Sequence, residues 1–415
     1  MNYKAPRGTH DIFGINALKL NLLEQKIREI FIKHGFEEIK TPIFEEASLF
    51  ASSIGQSTDI VKKEMYIFND KKNRKLALRP EGTASLVRSF IENKMDTFTS
   101  VWKFFYIGEM FRYERPQAGR FRQFRQAGVE FYGNAYPSAD VEIIVLAQDL
   151  LSAIGINETN IHINSLGCKK CGQLFKKVLI EYFTNRNKEL CDNCINRLKE
   201  NPLRILDCKL DSYKFTDIPK ISDYLCYNCR ENFNLVQSML KIVKCNYIVN
   251  NKLVRGIDYY TGVVFEIRSN IPNSQYAFVA GGRYDNLIKK IGGKDIPAVG
   301  FAAGVERLLS IVNDKKLFDN FKNPEKIFVA VTDQKLFNCA FAFTMKISKY
   351  GIKNNKNISV FGPIYNESLT NQLKFASKIQ VFRTIIFAAD EFKKGKVLIK
   401  KMSDKTQEAV SINDL

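Results

Sequence analysis

Five arginines, Arg112, Arg115, Arg120, Arg122 and Arg125, fall within fourteen residues, and aromatic, apolar stretches flank them on both sides. The run from Phe104 to Gly133 reads FFYIGEMFRYERPQAGRFRQFRQAGVEFYG. Alternation on either side of an Arg-Pro-Gln-Ala-Gly centre suits two strands joined by a long loop. Guanidinium forks meet phosphate bidentately and also stack on ring faces. Several of them beside aromatic rings suit a polyanion that carries a planar ring: a nucleoside triphosphate, or the end of an RNA. Glu114 is the acidic partner within the loop. Glu130 lies inside the returning apolar strand, where a carboxylate is costly without a specific partner.

The second chemical cluster is sulfur. Of nine cysteines, seven lie between Cys168 and Cys229 and include three Cys-x-x-Cys pairs, Cys168/Cys171, Cys191/Cys194 and Cys226/Cys229. Two such pairs can supply a tetrahedral thiolate site for zinc. With Cys208 there are seven candidate ligands, and the sequence does not choose among them. One structural Zn²⁺ on Cys191, Cys194, Cys226 and Cys229 is the expectation carried forward, because both pairs open helices whose dipoles favour thiolate. Cys168/Cys171 also precedes a helix, so a site using that pair is the alternative. The plainer reading is a helical module whose cysteines are apolar filler.

These groups need a scaffold. The 415 residues, 45% apolar and 26% charged, are enough for two or three domains with sizeable cores. No apolar run is long enough for a membrane span. The opening MNYKAPRG lacks the apolar stretch of a secretory signal, so a cytoplasmic location is expected. An excess of 63 basic over 44 acidic residues, +19 in all, favours a polyanionic partner.

Leu18 to His34 has helical periodicity, Ile39 to Phe44 looks like a strand, and Glu64 to Arg79 reads as a hairpin. Helices are expected from Ala84 to Ile91 and from Ser138 to about Ile154. Residues 165–246 read as an inserted, cysteine-rich helical subdomain, after which Leu253 to Ile267 resumes strand character. Ala280-Gly-Gly-Arg-Tyr is expected as a turn and Gly300 to Arg307 as a helix. From Pro324 onward strands and helices alternate as β-α-β-α-β, the order of a small α/β domain with a largely parallel sheet. The domain expectation is a body at 1–322, interrupted by 165–246, and an α/β domain at 323–415.

Neither a phosphate loop ending in Gly-Lys nor a dinucleotide glycine fingerprint follows a strand. The blocks that are present resemble the class II aminoacyl-tRNA synthetases, specifically the histidyl-tRNA synthetase family. Pro6-Arg-Gly-Thr-His-Asp is similar to the family's opening. Thr41-Pro-Ile-Phe-Glu resembles the first class motif, Phe111-Arg-Tyr-Glu-Arg-Pro-Gln with Gly119-Arg-Phe-Arg-Gln-Phe the second, and Gly300 to Arg307 the third. Leu78-Arg-Pro-Glu-Gly-Thr-Ala and Leu253-Val-Arg-Gly-Ile-Asp-Tyr-Tyr resemble blocks particular to the histidine enzymes.

The resemblance implies an α+β catalytic body on an antiparallel sheet and a C-terminal α/β domain of anticodon-binding type. It implies ATP-dependent activation of L-histidine and its transfer to tRNA(His) by a homodimer. Arg112 and Arg255 are then the catalytic residues. Glu81, Thr83, Gln126, Glu130, Tyr259 and Tyr260 join them around histidine. Arg112, Glu114, Arg120, Phe124 and Arg307 hold ATP, with Mg²⁺ bridging the β- and γ-phosphates, while Arg115 and Gln117 meet the tRNA acceptor end. A negatively charged Glu130 is expected to select a protonated imidazole nitrogen. Arg125 stands where the family commonly has histidine. Regulatory paralogues of the family typically lack the tail and lose catalytic arginines, both of which are present here.

Overall fold

Leu20, Leu23, Ile27, Ile30 and Phe31 recur at the helical period and form the buried face of α1 (Ile15–Lys33). The computed structural model describes residues 3–56, 58–116, 119–270, 277–314, 324–404 and 406–412. They divide into two units, Met1–Phe318 and Asp319–Leu415.

In the first unit a two-residue β1 (Glu37–Glu38) precedes a small antiparallel sheet of β2 (Phe44–Glu46), β3 (Ile67–Asn69) and β4 (Lys75–Leu78). Only Phe44 of the strand expected at Ile39–Phe44 is in a strand. The arginine run forms β5 (Trp102–Phe111) and β6 (Gln123–Tyr132), paired antiparallel from Trp102–Tyr132 to Phe111–Gln123. This is the strand–loop–strand read from its alternation. β7 (Thr159–Ser165), β8 (Ile248–Val249), β9 (Val263–Ser269), β10 (Ala277–Arg283) and β11 (Ala298–Gly304) complete an eight-stranded sheet among the described residues. Its order is β1-β5-β6-β11-β10-β9-β7-β8, and its six inner strands are antiparallel.

Two expectations are corrected here. Gly300–Gly304 is strand, and the helix begins only at Val305; Ala280–Arg283 is also strand, not turn. Both segments carry glycine because backbones pass too close for a side chain. A Cβ on Gly281 would lie 2.3 Å from the carbonyl oxygen of Gly300, and one on Gly300 would lie 2.3 Å from that of Val129. The extended segment before β9 is likewise not strand; regular pairing starts at Val263.

Period-two alternation gives the sheet two faces. Phe105, Val129, Phe265 and Phe301 point into the main core. On the opposite side, α2 (Ala47–Ile54) packs Phe50 and Ile54 against Ala77 and Ala84. Beside it, α3 (Thr83–Glu92) lays Leu86, Val87 and Phe90 over Phe104, Tyr106 and Tyr132. The main core is closed by α1 and by Ile143, Leu146 and Leu150 of α4 (Ser138–Ala153). Each such side chain withdrawn from water contributes about 1.5–3 kcal/mol.

The cysteine-rich segment contributes α5 (Lys169–Thr184), α6 (Asp192–Glu200) and α7 (Tyr227–Ile242). It has its own core, built on Phe175, Leu179, Phe183, Ile205 and Phe215. In contrast, Phe233, Val236 and Leu240 of α7 are buried in the main core. The short α8 (Leu287–Lys290) and α9 (Val305–Asp314), whose Leu308 also reaches the main core, complete this unit. Arg283, at the end of β10, ties the sheet to α4: its Nη2 and Nε donate to Asp140 at 2.6 and 3.0 Å, deep inside the protein.

In the second unit β12 (Glu325–Val331), α10 (Phe337–Lys353), β13 (Ile358–Phe361), α11 (Leu369–Lys378) and β14 (Arg383–Phe387) follow in the alternating order expected. β12 pairs in parallel with both β13 and β14. β15 (Lys396–Lys401) and β16 (Gln407–Ser411) then extend the sheet antiparallel. Ala340 packs with Val329 on one face and Ala376 with Phe328 on the other, so the two longer helices lie on opposite faces. Among the described residues no helix is long and apolar enough to cross a membrane.

Candidate active site

A cavity of about 820 Å³ opens over the inner strands of the first unit. Small residues make the space. Across the sheet, Tyr106, Gly128, Ala302, Ala280 and Glu266 stand in register, and beside them Glu130, Gly300 and Gly282. Gly128, Gly300, Ala302, Ala280 and Gly282 on three adjacent strands thus make a low floor, with Glu130 the long side chain in these rows, and longer side chains form the walls. Glycine at 128 and 82 is required because a Cβ at either position would meet the Tyr106 ring, at 2.5 and 2.3 Å.

Glu130 rises from that floor with 1% exposure. Its carboxylate accepts from Thr83 Oγ1 at 2.6 Å and from the Tyr284 hydroxyl. Burial outweighs both donors and pushes its pKa up to about 8, with Glu81 adding to the rise. The expectation of a fixed negative charge is therefore modified: the unliganded side chain favours its neutral form at pH 7. Glu81, also buried, accepts from the backbone N–H groups of Thr83 and Ala84 at 2.8 and 2.9 Å and so caps α3. Burial raises its pKa too. Gln126, one residue pair along β6, holds a buried Oε1 that meets no protein donor. Tyr259 and Tyr260 close this end, with ring centroids 4.8 Å apart.

Cationic groups line the same cavity, and one of them, Arg255, lies beside the tyrosines with its guanidinium 5.7 Å from the Tyr260 ring centroid. Arg112 Nε donates to the Pro80 carbonyl at 2.8 Å, and its guanidinium lies 5.4 Å from the Phe124 ring centroid. Glu114 accepts from Arg120 at 3.1 Å. Arg307, at the start of α9, donates to the Ala277 carbonyl at 2.7 Å. Arg255 is held by Glu266, which Arg268 also grips at 2.8 and 2.6 Å, while the buried Arg255 Nε has no protein partner. Unpartnered donors and acceptors of this kind mark where a ligand's polar atoms belong. Glu64 lines the cavity, with its pKa raised by burial and then by the charge of Glu114. Two neighbouring carboxylates beside triphosphate-type arginines fit a hard, oxygen-seeking cation such as Mg²⁺.

Every residue expected around histidine or ATP lines this one cavity: Glu81, Thr83, Arg112, Glu114, Arg120, Phe124, Gln126, Glu130, Arg255, Tyr259, Tyr260 and Arg307. Arg115 is exposed and outside it, and Gln117 lies outside the described residues. Arg125 turns away: it pairs with Glu109 at 2.7 Å and Glu24 at 2.5 Å, while its backbone N–H donates to Glu306. The opening segment braces the loop, since Arg122 donates its N–H to the Gly8 carbonyl at 2.8 Å and His10 packs on Phe121. Tyr284, Glu266, Arg268, Asp207, Lys209 and Lys252 also line the cavity and were not anticipated. Glu266 could have been found by the reasoning applied to Glu130, a carboxylate within an apolar strand. Tyr284 carried no signal.

The expected cysteine pairing is corrected. Cys226/Cys229 faces Cys168/Cys171, whereas Cys191/Cys194 faces Cys208 and Asp211. Equal spacing in all three pairs concealed which helix starts meet.

Residues 8–188 and 217–308 match the family model described as Histidyl-tRNA synthetase. The chain is 61% identical to the "Histidine--tRNA ligase" of Endomicrobium trichonymphae over 414 residues, all of both chains. It is 42% identical to the protein of that name from Aquifex aeolicus, again over both full lengths. The crystal structure of apo S. aureus histidyl-tRNA synthetase superposes with a TM-score of 0.77 at 28% identity, covering 99% of this chain and 98% of that one. An arginine-walled cavity on a six-stranded antiparallel core, and full-length relatives at this identity, lead to one conclusion: the chain belongs to the histidyl-tRNA synthetase family.

Proposed function

We propose that this chain activates L-histidine with ATP and transfers the histidyl group to the 3′ end of tRNA(His), releasing AMP and pyrophosphate. The observation that carries the reading is the convergence, in one cavity, of a buried carboxylate, Glu130, the tyrosines Tyr259 and Tyr260, and the arginines Arg112, Arg120, Arg255 and Arg307. Names of full-length relatives, "Histidine--tRNA ligase", agree with it.

In this reading the histidine carboxylate attacks the α-phosphorus, the bond to the pyrophosphate oxygen breaks, and charge shifts onto the phosphates. Arg112 fixes the carboxylate against the α-phosphate, while the free Arg255 Nε faces the phosphate from the other side. Catalysis of this step is positioning plus neutralisation of developing charge. Phe124 and Arg307 stack on the adenine, and Arg120 and Glu114 attend the outer phosphates. Glu64 and Glu114 would hold Mg²⁺ from the protein side, and the ion would supply further positive charge beside the phosphates. The Gln126 oxygen and Glu81 receive the α-ammonium, Thr83 orients Glu130, and Tyr259 and Tyr260 line the ring site. Glu130 accepts the imidazole N–H, and arrival of that donor favours its ionised form. An analogue without the N–H leaves a buried acceptor unpaired, the strongest basis for rejecting an isostere.

The exposed Arg115 and the net charge of +19 suit contact with tRNA, and the second unit is proposed to bind the anticodon. A homodimer through the Thr41–Glu45 region is supported by the exposed Ile43 and Phe44, which share the small sheet's surroundings with exposed Ile67 and Phe68. A cytoplasmic site of action and thiolate-bound zinc complete the proposal. Charging of tRNA(His) with labelled histidine by the purified chain tests it: acid-precipitable product is expected, and none with folded protein rejects the assignment.

A further inference from the structure

We infer that the cysteine-rich segment holds two separate zinc ions, and that the second of them shapes the wall of the active-site cavity. The first site is Cys168, Cys171, Cys226 and Cys229; the second is Cys191, Cys194, Cys208 and Asp211. Within each set the ligand atoms all lie within 4.8 Å of one another. The Cys168 and Cys171 sulfurs are 3.6 Å apart and those of Cys191 and Cys208 are 3.9 Å apart. A tetrahedral ion with Zn–S bonds of about 2.3 Å requires sulfurs roughly 3.8 Å apart, whereas a disulfide requires about 2.05 Å. The spacing is that of ligands, not of bonded sulfurs.

Backbone donors also point at the sulfurs. Cys168 N–H donates to Cys229 Sγ at 3.2 Å, and Cys226 N–H donates to Cys171 Sγ at 3.1 Å. This reciprocal pair joins the first turns of α5 and α7, and such donors stabilise metal-bound thiolate. Apolar filler has no use for them. In the second site Asp211 has 0% exposure. One of its oxygens accepts from Cys191 N–H at 2.9 Å and the other from Lys214 Nζ at 2.7 Å. Lys214 already balances the Asp211 charge, so the case for an ion rests on the three thiols gathered around it, and a soft S₃O donor set selects Zn²⁺ over Mg²⁺ or Ca²⁺.

Cys208 and Asp211 lie within the stretch that reaches the cavity through Arg204, Asp207, Lys209 and Tyr213. That stretch is moored to the main body by Arg204 on Asp59 at 2.9 Å and by Lys252 on the Ser212 carbonyl at 2.7 Å. Ligation at Cys208 and Asp211 fixes its backbone on the far side. The first zinc staples two helices, and the second sets the position of cationic groups facing the triphosphate end.

The test is metal analysis of the full chain, purified reduced and with zinc supplied. Two zinc ions per chain are expected; one or none overturns the inference. Cys226→Ser and Asp211→Asn should each leave one ion. Cobalt replacement keeps the test decisive if a variant misfolds. The wild type should show two overlapping tetrahedral spectra, and progressive thiol mercuration should remove them in two steps. A single-step loss, or thiols that all titrate freely beside added zinc, counts against two sites. A kinetic arm rests on the activation reaction proposed above: Asp211→Asn should raise KM for ATP about tenfold, while Cys226→Ser leaves pyrophosphate exchange unchanged. Equal effects would overturn the link to the wall. A protein with no exchange activity would sink the functional reading but leave the metal count to decide the sites.

Discussion

Replacing Arg255 by alanine separates chemistry from folding. Breaking a buried ion pair by removing one partner ordinarily costs about 3–5 kcal/mol, because a charge is left uncompensated. Here Glu266 keeps two contacts to Arg268, at 2.8 and 2.6 Å, so its charge stays paired. The expected loss of stability is that of a hydrogen bond to a charged group, about 1.5–3 kcal/mol at most. The chemical loss is different in kind. The free Nε is a donor available to the phosphate, and it acts most strongly as negative charge shifts during displacement. Removing one such donor costs about 3 kcal/mol, or on the order of 100-fold in rate. Histidine-dependent pyrophosphate exchange should fall by that factor with little change in ATP or histidine affinity. Transfer to tRNA from preformed histidyl-adenylate should fall far less. Equal losses in exchange and transfer, or a change confined to affinity, would show Arg255 to be a structural residue and refute this reasoning.

Glu130→Gln should raise KM for histidine by about 5- to 150-fold, since a well-placed buried acceptor is worth about 1–3 kcal/mol; unchanged discrimination against ring analogues would count against its role. Because the folded state raises its pKa to about 8, Glu130 contributes stability that is fully present below the unfolded value near 4.5 and lost as pH rises through about 8. Thermal melts of the unliganded protein should therefore show a decline in Tm between those limits that flattens in Glu130→Gln. Gly300→Ala places a methyl 2.2 Å from Glu130 Oε2 and 2.3 Å from the Val129 carbonyl, so histidine binding by calorimetry should be lost. Arg283→Ala strands Asp140 in the interior and should reduce urea stability by about 3–5 kcal/mol. A loss below about 1 kcal/mol would mean that Asp140 is solvated after all.

Legibility followed the range of the interactions. The β5–β6 hairpin could be read because both strands and the loop are local, with apolar and polar residues alternating around one punctuated centre. The second unit's order was readable for the same reason, but β15 and β16, whose short alternating runs sit among lysines, were not. Gly300–Gly304 misled because Gly-Phe-Ala-Ala-Gly has neither a two-residue nor a 3.6-residue signature; its smallness serves neighbouring strands and the cavity above them. Arg255, Glu130 and the tyrosine pair were legible as motif residues, yet their partners Glu266 and Tyr284 come from strands brought alongside by the fold. The cysteines are the sharpest case. Three pairs of identical spacing are locally equivalent, and only the meeting of the first turns of α5 and α7 decides that Cys168/Cys171 meets Cys226/Cys229.

The central claim is that the cavity activates histidine in particular. ATP–pyrophosphate exchange by the purified full chain, run with each of the twenty amino acids in turn, measures it directly. Exchange with histidine alone, abolished by omission of Mg²⁺, is the result this account predicts. Exchange driven equally by another amino acid, or none with folded protein, would contradict it.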